Sequence, residues 1–146
     1  MTMAISRSRT LARGIVAIFF ALVLATFTVV TPFLGPGTEI IAPVVAGGVG
    51  AVALAGLAMS AFALYDGNPA GARPGYRIAQ SGVWLIPAAG LATGSVIWLL
   101  SGDIKDMGIA FWGTGIVWLI HLLLIRRHAR DMRLSGALGG PAPGAA

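Results

Sequence analysis

Four long stretches without Asp, Glu, Lys or Arg constrain what this chain can fold into. They cover residues 14–38, 40–65, 78–102 and 107–125. A helix of about 20 residues crosses the roughly 30 Å hydrocarbon core of a bilayer and satisfies its own backbone hydrogen bonds. Charged residues make up only 10% of the chain, against about 25% in an average soluble domain. We therefore predict an all-α integral membrane four-helix bundle.

The predicted organisation is one membrane domain between two short ends. The spans are expected at about 14–34, 40–65, 78–100 and 107–125. Together they form a membrane domain, 14–134, preceded by a basic N-terminus, 1–13, and followed by a Gly-, Pro- and Ala-rich tail, 135–146, that we expect to be disordered. Short connections predict two antiparallel hairpins. The turn-rich connection 66–77 is interpreted as a linker between them.

The distribution of basic residues predicts the orientation in the membrane. Nine of the ten Lys and Arg residues lie in 1–13, 66–77 and 126–133, and only Lys105 lies in an alternate connection. The positive-inside rule then places both termini in the cytoplasm, in a multi-pass protein of the plasma membrane. This orientation accounts for the net charge of +5, so we expect no nucleic-acid partner. The preference for Arg over Lys and the richness in Gly and Ala indicate a bacterial source.

Small residues at four-residue spacing predict where the helices pack against each other. Lipid gives helices no hydrophobic reason to associate, so their contacts need close backbone approach at small side chains. The predicted helix-packing residues are Ala17, Ala21 and Ala25 in the first span, Gly47, Ala51 and Ala55 in the second, and Gly90 and Gly94 in the third. These stripes can serve packing within the bundle or a face for an oligomer or partner.

Two further residues stand out within the spans. Pro87 lies in the middle of the third span and cannot donate to the carbonyl of Val83, which predicts a kink. His121 is an ionisable residue near the end of the fourth span. It is either an interfacial or helix-bonded residue, or a proton or ligand site. His128 lies about 10 Å further along the helix, too far to share a metal ion with it.

A cluster of arginines follows the fourth span. Its members are Arg126, Arg127, Arg130 and Arg133. We expect them to contact anionic lipid headgroups, where each cation gains about 1 kcal/mol. The lipid bilayer is therefore the predicted partner, together with a homo-oligomeric copy or a larger membrane protein.

Residues that could carry chemistry are scarce. The chain has no Cys, no His, Asp and Glu cluster with metal-ligand spacing, and no nucleophile that we can pair with a base inside the bilayer. We expect no catalytic residue, metal or cofactor, and hence no enzyme. Small multidrug exporters have four spans in a chain of similar size, but they are built around a glutamate in the first span, and this chain has no acid there.

The expected function is a non-catalytic accessory, assembly or scaffold subunit that packs through its Gly and Ala stripes. A homo-oligomeric small transporter or channel is the alternative, indicated by Pro87, the hydroxyl side chains and His121. A holin-type pore former and a histidine-dependent membrane redox component are two further readings of the same features.

Overall fold

The chain is all-helical in the part that the computed structural model describes, residues 7–35, 37 and 40–139. The elements are α1 (Arg7–Val30), continued by a 3-10 turn (Thr31–Leu34), then α2 (Ile41–Tyr65), α3 (Pro69–Ser101) and α4 (Ile104–Leu134). These described residues contain no strand. All four helices are long and apolar enough to cross a membrane. The prediction of an all-helical chain with four candidate membrane helices is confirmed.

Short polar side chains cap the first turns of α3 and α4. Asn68 precedes α3 and accepts a hydrogen bond from the amide of Gly71 at 2.8 Å, while Pro69 occupies the first helical position. Asp103 caps α4 in the same way through the amide of Lys105, at 2.9 Å. Because α3 begins at Pro69, the interpretation of residues 69–77 as an irregular linker is wrong. The cap and the proline start the helix well before the predicted span.

The predicted disordered tail differs from the structure at its start. After α4, residues 135–138 form a turn, in which the amide of Ala137 donates to the carbonyl of Met132 at 3.1 Å. Ala137 is buried against Ala72 and Met132. The turn is therefore packed on the helices, and the rest of the predicted tail, 140–146, lies outside the described residues.

Helix α2 is the centre of the bundle and contacts each of the other three helices. Most of its buried residues are Ala and Gly. Larger side chains fill the remaining space around Leu54 and Leu57, which are fully buried in a cluster with α1, α3 and α4. Small residues let three neighbours approach one helix closely, which is what association in lipid requires.

The closest approach of two backbones occurs where α2 crosses α3. A Cβ atom built on Gly75 would lie 2.5 Å from the carbonyl oxygen of Gly56 and 2.8 Å from the amide nitrogen of Ser60. A Cβ atom on Gly56 would in turn lie 2.9 Å from the carbonyl oxygen of Gly75. Backbone atoms cannot rotate away as a side chain can, so both positions require glycine.

The residues that α3 buries recur every three or four positions. They are Ala72, Gly75, Ala79, Gly82, Ile86, Gly90 and Gly94. The predicted packing residues Gly90 and Gly94 form the last part of this stripe, where they contact Thr114 and Ala110 of α4. The earlier part was missed in the sequence because its spacing alternates between three and four rather than repeating every four residues.

The predicted packing residues of α1 and α2 differ in burial. Ala17 and Ala21 are buried, whereas Ala25 is half-buried. Gly47 is buried beside Thr28, with its missing Cβ position 3.2 Å from the Thr28 hydroxyl oxygen.

Further along α2, Ala51 and Ala55 are only half-buried, and the fully buried small residues are their neighbours Gly50 and Ala53. The buried face of α2 is wide because the helix packs on three partners.

Replacing Gly75 by Ala is expected to destabilise the bundle by about 1 to 3 kcal/mol, because the added methyl group overpacks a backbone crossing. The matched control is Gly108→Ala, where a Cβ atom meets nothing within 4 Å. That variant should be neutral or slightly stabilising, since Ala favours helix. Unfolding of both variants in mixed micelles measures the difference, and equal stabilities would contradict the assigned crossing.

Candidate functional site

Buried polar side chains gather at the end of the bundle where α1 begins and α4 ends. We call this group the terminal polar cluster, and its members are Thr10, Arg13, Ser60, His128 and Asp131. Ser60 and His128 are 0% exposed. Placing such groups inside an apolar bundle is costly unless they bond each other. Their partners therefore decide what the cluster can do.

An ion pair between Arg13 and Asp131 ties α1 to α4. The guanidinium of Arg13 bonds the carboxylate of Asp131 and also donates to the carbonyl of Arg127 at 3.1 Å. The two side chains are 20% and 12% exposed. At this degree of burial, loss of one partner leaves a largely desolvated charge without compensation. Sequence reasoning missed the pair because its members are 118 residues apart.

Ser60 and His128 form the second contact of the cluster. The hydroxyl oxygen of Ser60 lies 2.7 Å from Nε2 of His128, and the sulfur of Met132 lies 3.6 Å from the same oxygen. The structure thus pairs a hydroxyl with an imidazole base, which the sequence analysis did not expect. Nδ1 of His128 has no hydrogen-bond partner among the described residues, and the carboxylate of Asp131 bonds Arg13 instead. Both side chains are fully buried, and their contact joins α2 to α4.

His121 lies inside the bundle and is bonded to another helix. Its side chain is 0% exposed, and Nε2 lies 2.6 Å from the carbonyl oxygen of Ala79 in α3. A carbonyl only accepts, so Nε2 carries the proton and donates. Gly82 provides the space, because a Cβ atom there would lie 2.9 Å from Nε2. Nδ1 of His121 has no protein partner, and the described residues hold no group of three or more His, Cys, Asp or Glu that could bind a metal ion.

Pro87 of α3 and Trp118 of α4 are connected through the carbonyl of Val83. Pro87 lies inside α3, where its missing N–H leaves the carbonyl of Val83 without the usual helical donor. The indole nitrogen of Trp118 donates to that carbonyl at 2.8 Å. This hydrogen bond satisfies a backbone group that lipid could not satisfy. The sequence predicted that the Val83 carbonyl lacks its helical donor, but not that Trp118 supplies one. The kink expected at Pro87 stays a prediction.

The four predicted headgroup arginines lie on the exposed side of α4. Arg126, Arg127, Arg130 and Arg133 are all exposed. Between them, His128 and Asp131 point into the bundle and are buried. The last turns of α4 therefore separate a buried polar side from an outer basic side, and contact of the arginines with lipid stays a prediction.

An apolar groove opens on the outer side of α3 and α4. Its volume is about 500 Å³. The lining residues are Pro87, Leu91, Phe111, Trp112, Thr114, Gly115, Ile116, Trp118 and Leu119. A Cβ atom built on Gly115, or on Gly108 two turns earlier, would meet nothing within 4 Å. This outer face of α4 therefore exposes backbone that the four helices leave uncovered.

Comparison of the chain with protein-family models, with curated proteins and with solved structures finds no match. The fold and the site geometry define the class: an all-helical protein with four helices able to span a membrane.

Replacing Asp131 by Asn is expected to destabilise the bundle by about 3 kcal/mol, because Arg13 would remain partly buried without its countercharge. The double variant Arg13→Met and Asp131→Leu should recover most of that loss, since it removes both charges. Unfolding in mixed micelles measures both. A double variant no more stable than the single one would show that the two residues act independently.

Replacing Trp118 by Phe is expected to cost about 1 to 2 kcal/mol, because the Val83 carbonyl loses its donor. In a Pro87→Ala background, the amide of residue 87 can bond this carbonyl, so the same Trp118 change should cost much less. A double-mutant cycle of unfolding free energies measures the coupling. Equal costs in the two backgrounds would contradict the proposed compensation.

Proposed function

We propose that this chain is a non-catalytic accessory, assembly or scaffold subunit of a bacterial plasma membrane. It crosses the membrane four times as two antiparallel hairpins, with both termini in the cytoplasm. Gly14 near the start of α1 lies against Phe62 near the end of α2, which supports the first hairpin. Gly94 near the end of α3 lies against Ala110 near the start of α4, which supports the second. The basic residues of α1, α3 and α4 support the orientation through the positive-inside rule.

The observation that carries the proposal is the pair of open glycines on the outer face of α4. Gly108 and Gly115 are seven residues apart and so lie on the same side of the helix. Other glycines of the bundle, such as Gly75 and Gly90, are covered by a neighbouring helix. In lipid, an uncovered glycine adds little apolar surface but allows another helix to approach closely.

The aromatic residues beside these glycines fit the same role. Phe111 and Trp112 are 62% and 71% exposed, and they line the groove whose floor includes Gly115. A transmembrane helix of a partner can place a ridge of side chains into such a groove, as helices do when they pack. We therefore propose that the outer face of α4 binds a transmembrane helix of a larger membrane protein.

A homo-oligomeric small transporter or channel is the alternative. The observation that favours it is the Nδ1 atom of His121, which is buried without a hydrogen-bond partner among the described residues. For this atom to exchange a proton with a solute, the bundle would have to open around it. A transporter requires that the purified chain by itself moves a solute across liposomes. A subunit requires a companion chain, so the two functions predict different behaviour after purification.

Filling the groove is expected to break the partner contact without unfolding the bundle. We propose Gly115→Leu, whose side chain would occupy the groove and meet no atom of the chain within 4 Å of its Cβ position. After extraction in a mild detergent, the unaltered chain should travel with a stoichiometric larger membrane protein. The variant should lose at least about nine-tenths of that companion, which corresponds to about 1.4 kcal/mol of binding free energy.

Ala92→Leu is the matched control, because Ala92 is exposed on α3 and does not line the groove. This variant should keep the companion. Equal loss in both variants would overturn the assigned face, and a companion-free homo-oligomer that transports a solute would favour the alternative function.

A further inference from the structure

A second, polar pocket lies between the first turns of α3 and the turn that follows α4. Its volume is about 250 Å³. The lining residues are Arg73, Tyr76, Arg77, Gln80, Ala137, Leu138 and Gly139, and we call this space the basic pocket. Arg73, Arg77 and Gln80 are spaced by four and three residues, so they line one face of α3. The pocket thus collects the polar side chains of that face.

Arg73 is hydrogen-bonded to the turn after α4, which forms the other wall of the basic pocket. Its Nε donates to the carbonyl of Ala137 at 2.6 Å, and Ala137 is 1% exposed. This bond fixes the plane of the guanidinium against the turn. A guanidinium has five N–H donors, and in the described part of the chain the terminal nitrogens of Arg73 have no hydrogen-bond partner. These nitrogens can donate to an anionic ligand.

The described lining of the basic pocket is positively charged. Its lining contains two arginines and no acid, and the ion pair found among the described residues joins Arg13 to Asp131 elsewhere in the bundle. Two like charges four residues apart on a helix destabilise it slightly, and a bound anion would relieve this repulsion. Planar guanidinium groups match the oxygens of a phosphate in bidentate geometry.

We propose that the basic pocket binds a phosphate group through Arg73 and Arg77, with Gln80 as a further donor. The volume is below the 300 to 1,000 Å³ that is common for drug-sized ligands, so the pocket suits one headgroup or one small phosphate. Two sources carry this chemistry: an anionic phospholipid and a phosphate free in the cytoplasm.

The position of Trp84 favours access from the membrane. Trp84 is 77% exposed and lies on the same face of α3, about 10 Å along the helix from Arg77. Exposed indoles concentrate where the hydrocarbon core meets the headgroups. An acyl chain that passes Trp84 would leave its phosphate at the level of the two arginines.

The test uses the full chain in a neutral detergent and titration calorimetry with three probes. The probes are dioctanoyl phosphatidylglycerol, dioctanoylglycerol, which lacks the phosphate, and inorganic phosphate.

Arg77→Gln is the informative variant, because Arg77 is exposed and its replacement leaves the Arg73 contact with Ala137 intact. It should weaken binding of the phospholipid at least about tenfold, as expected for loss of a charged hydrogen bond. Arg9→Gln removes the same charge from an exposed site outside the pocket and outside the four predicted headgroup arginines, and it should change the affinity less than about twofold.

Each outcome supports or overturns the site. Phospholipid binding that is sensitive to Arg77, without binding of inorganic phosphate, identifies the lipid source, and sensitive binding of inorganic phosphate identifies the free source. Equal binding of dioctanoylglycerol would show that only acyl chains bind and would overturn the proposal. Equal effects of Arg77→Gln and Arg9→Gln, or no binding of either phosphate probe, would overturn it as well. None of these results depends on a partner at α4, so the experiment can overturn the phosphate site without overturning the proposed function, and the reverse also holds.

Discussion

Close backbone approach around α2 is the constraint on which the rest of the structure depends. The hydrocarbon core of a bilayer is as apolar as a leucine side chain, so dispersion contacts and hydrogen bonds must hold the helices together. Dispersion weakens steeply with distance, which makes the crossing of Gly56 and Gly75 a central contact. Because α2 contacts all three other helices, its small residues set the positions of α1, α3 and α4 together.

Hydrogen bonds between helices fix their rotation once small residues have brought them close. Trp118 bonds the carbonyl that Pro87 leaves free, and His121 bonds the carbonyl of Ala79. Both bonds join α3 to α4, and both become more valuable because lipid offers no competing partner. The terminal polar cluster does the same for the ends of the bundle through the pair of Arg13 and Asp131. The two proposed binding sites, the outer face of α4 and the basic pocket, use surfaces that this packing leaves exposed.

The candidate sites were predictable only in part. The orphaned carbonyl of Val83 follows directly from Pro87, because the missing proline N–H is a local property. The alternating spacing from Ala72 to Gly82 was also present in the sequence and could have extended the stripe found at Gly90. No local pattern could pair Ser60 with His128, since 68 residues separate them and their contact depends on how two helices are rotated.

The sequence by itself determined the four membrane helices and the all-helical class, because uncharged stretches of sufficient length can satisfy their backbone groups in lipid only as helices or closed barrels. Only the tertiary structure decided which side of each helix is buried. In a soluble protein the alternation of polar and apolar residues reveals that side. Here the buried and the lipid-facing sides are both apolar, as Leu54 at 0% and Leu99 at 74% exposure illustrate. Close packing between the helices therefore determines which side of each helix is buried.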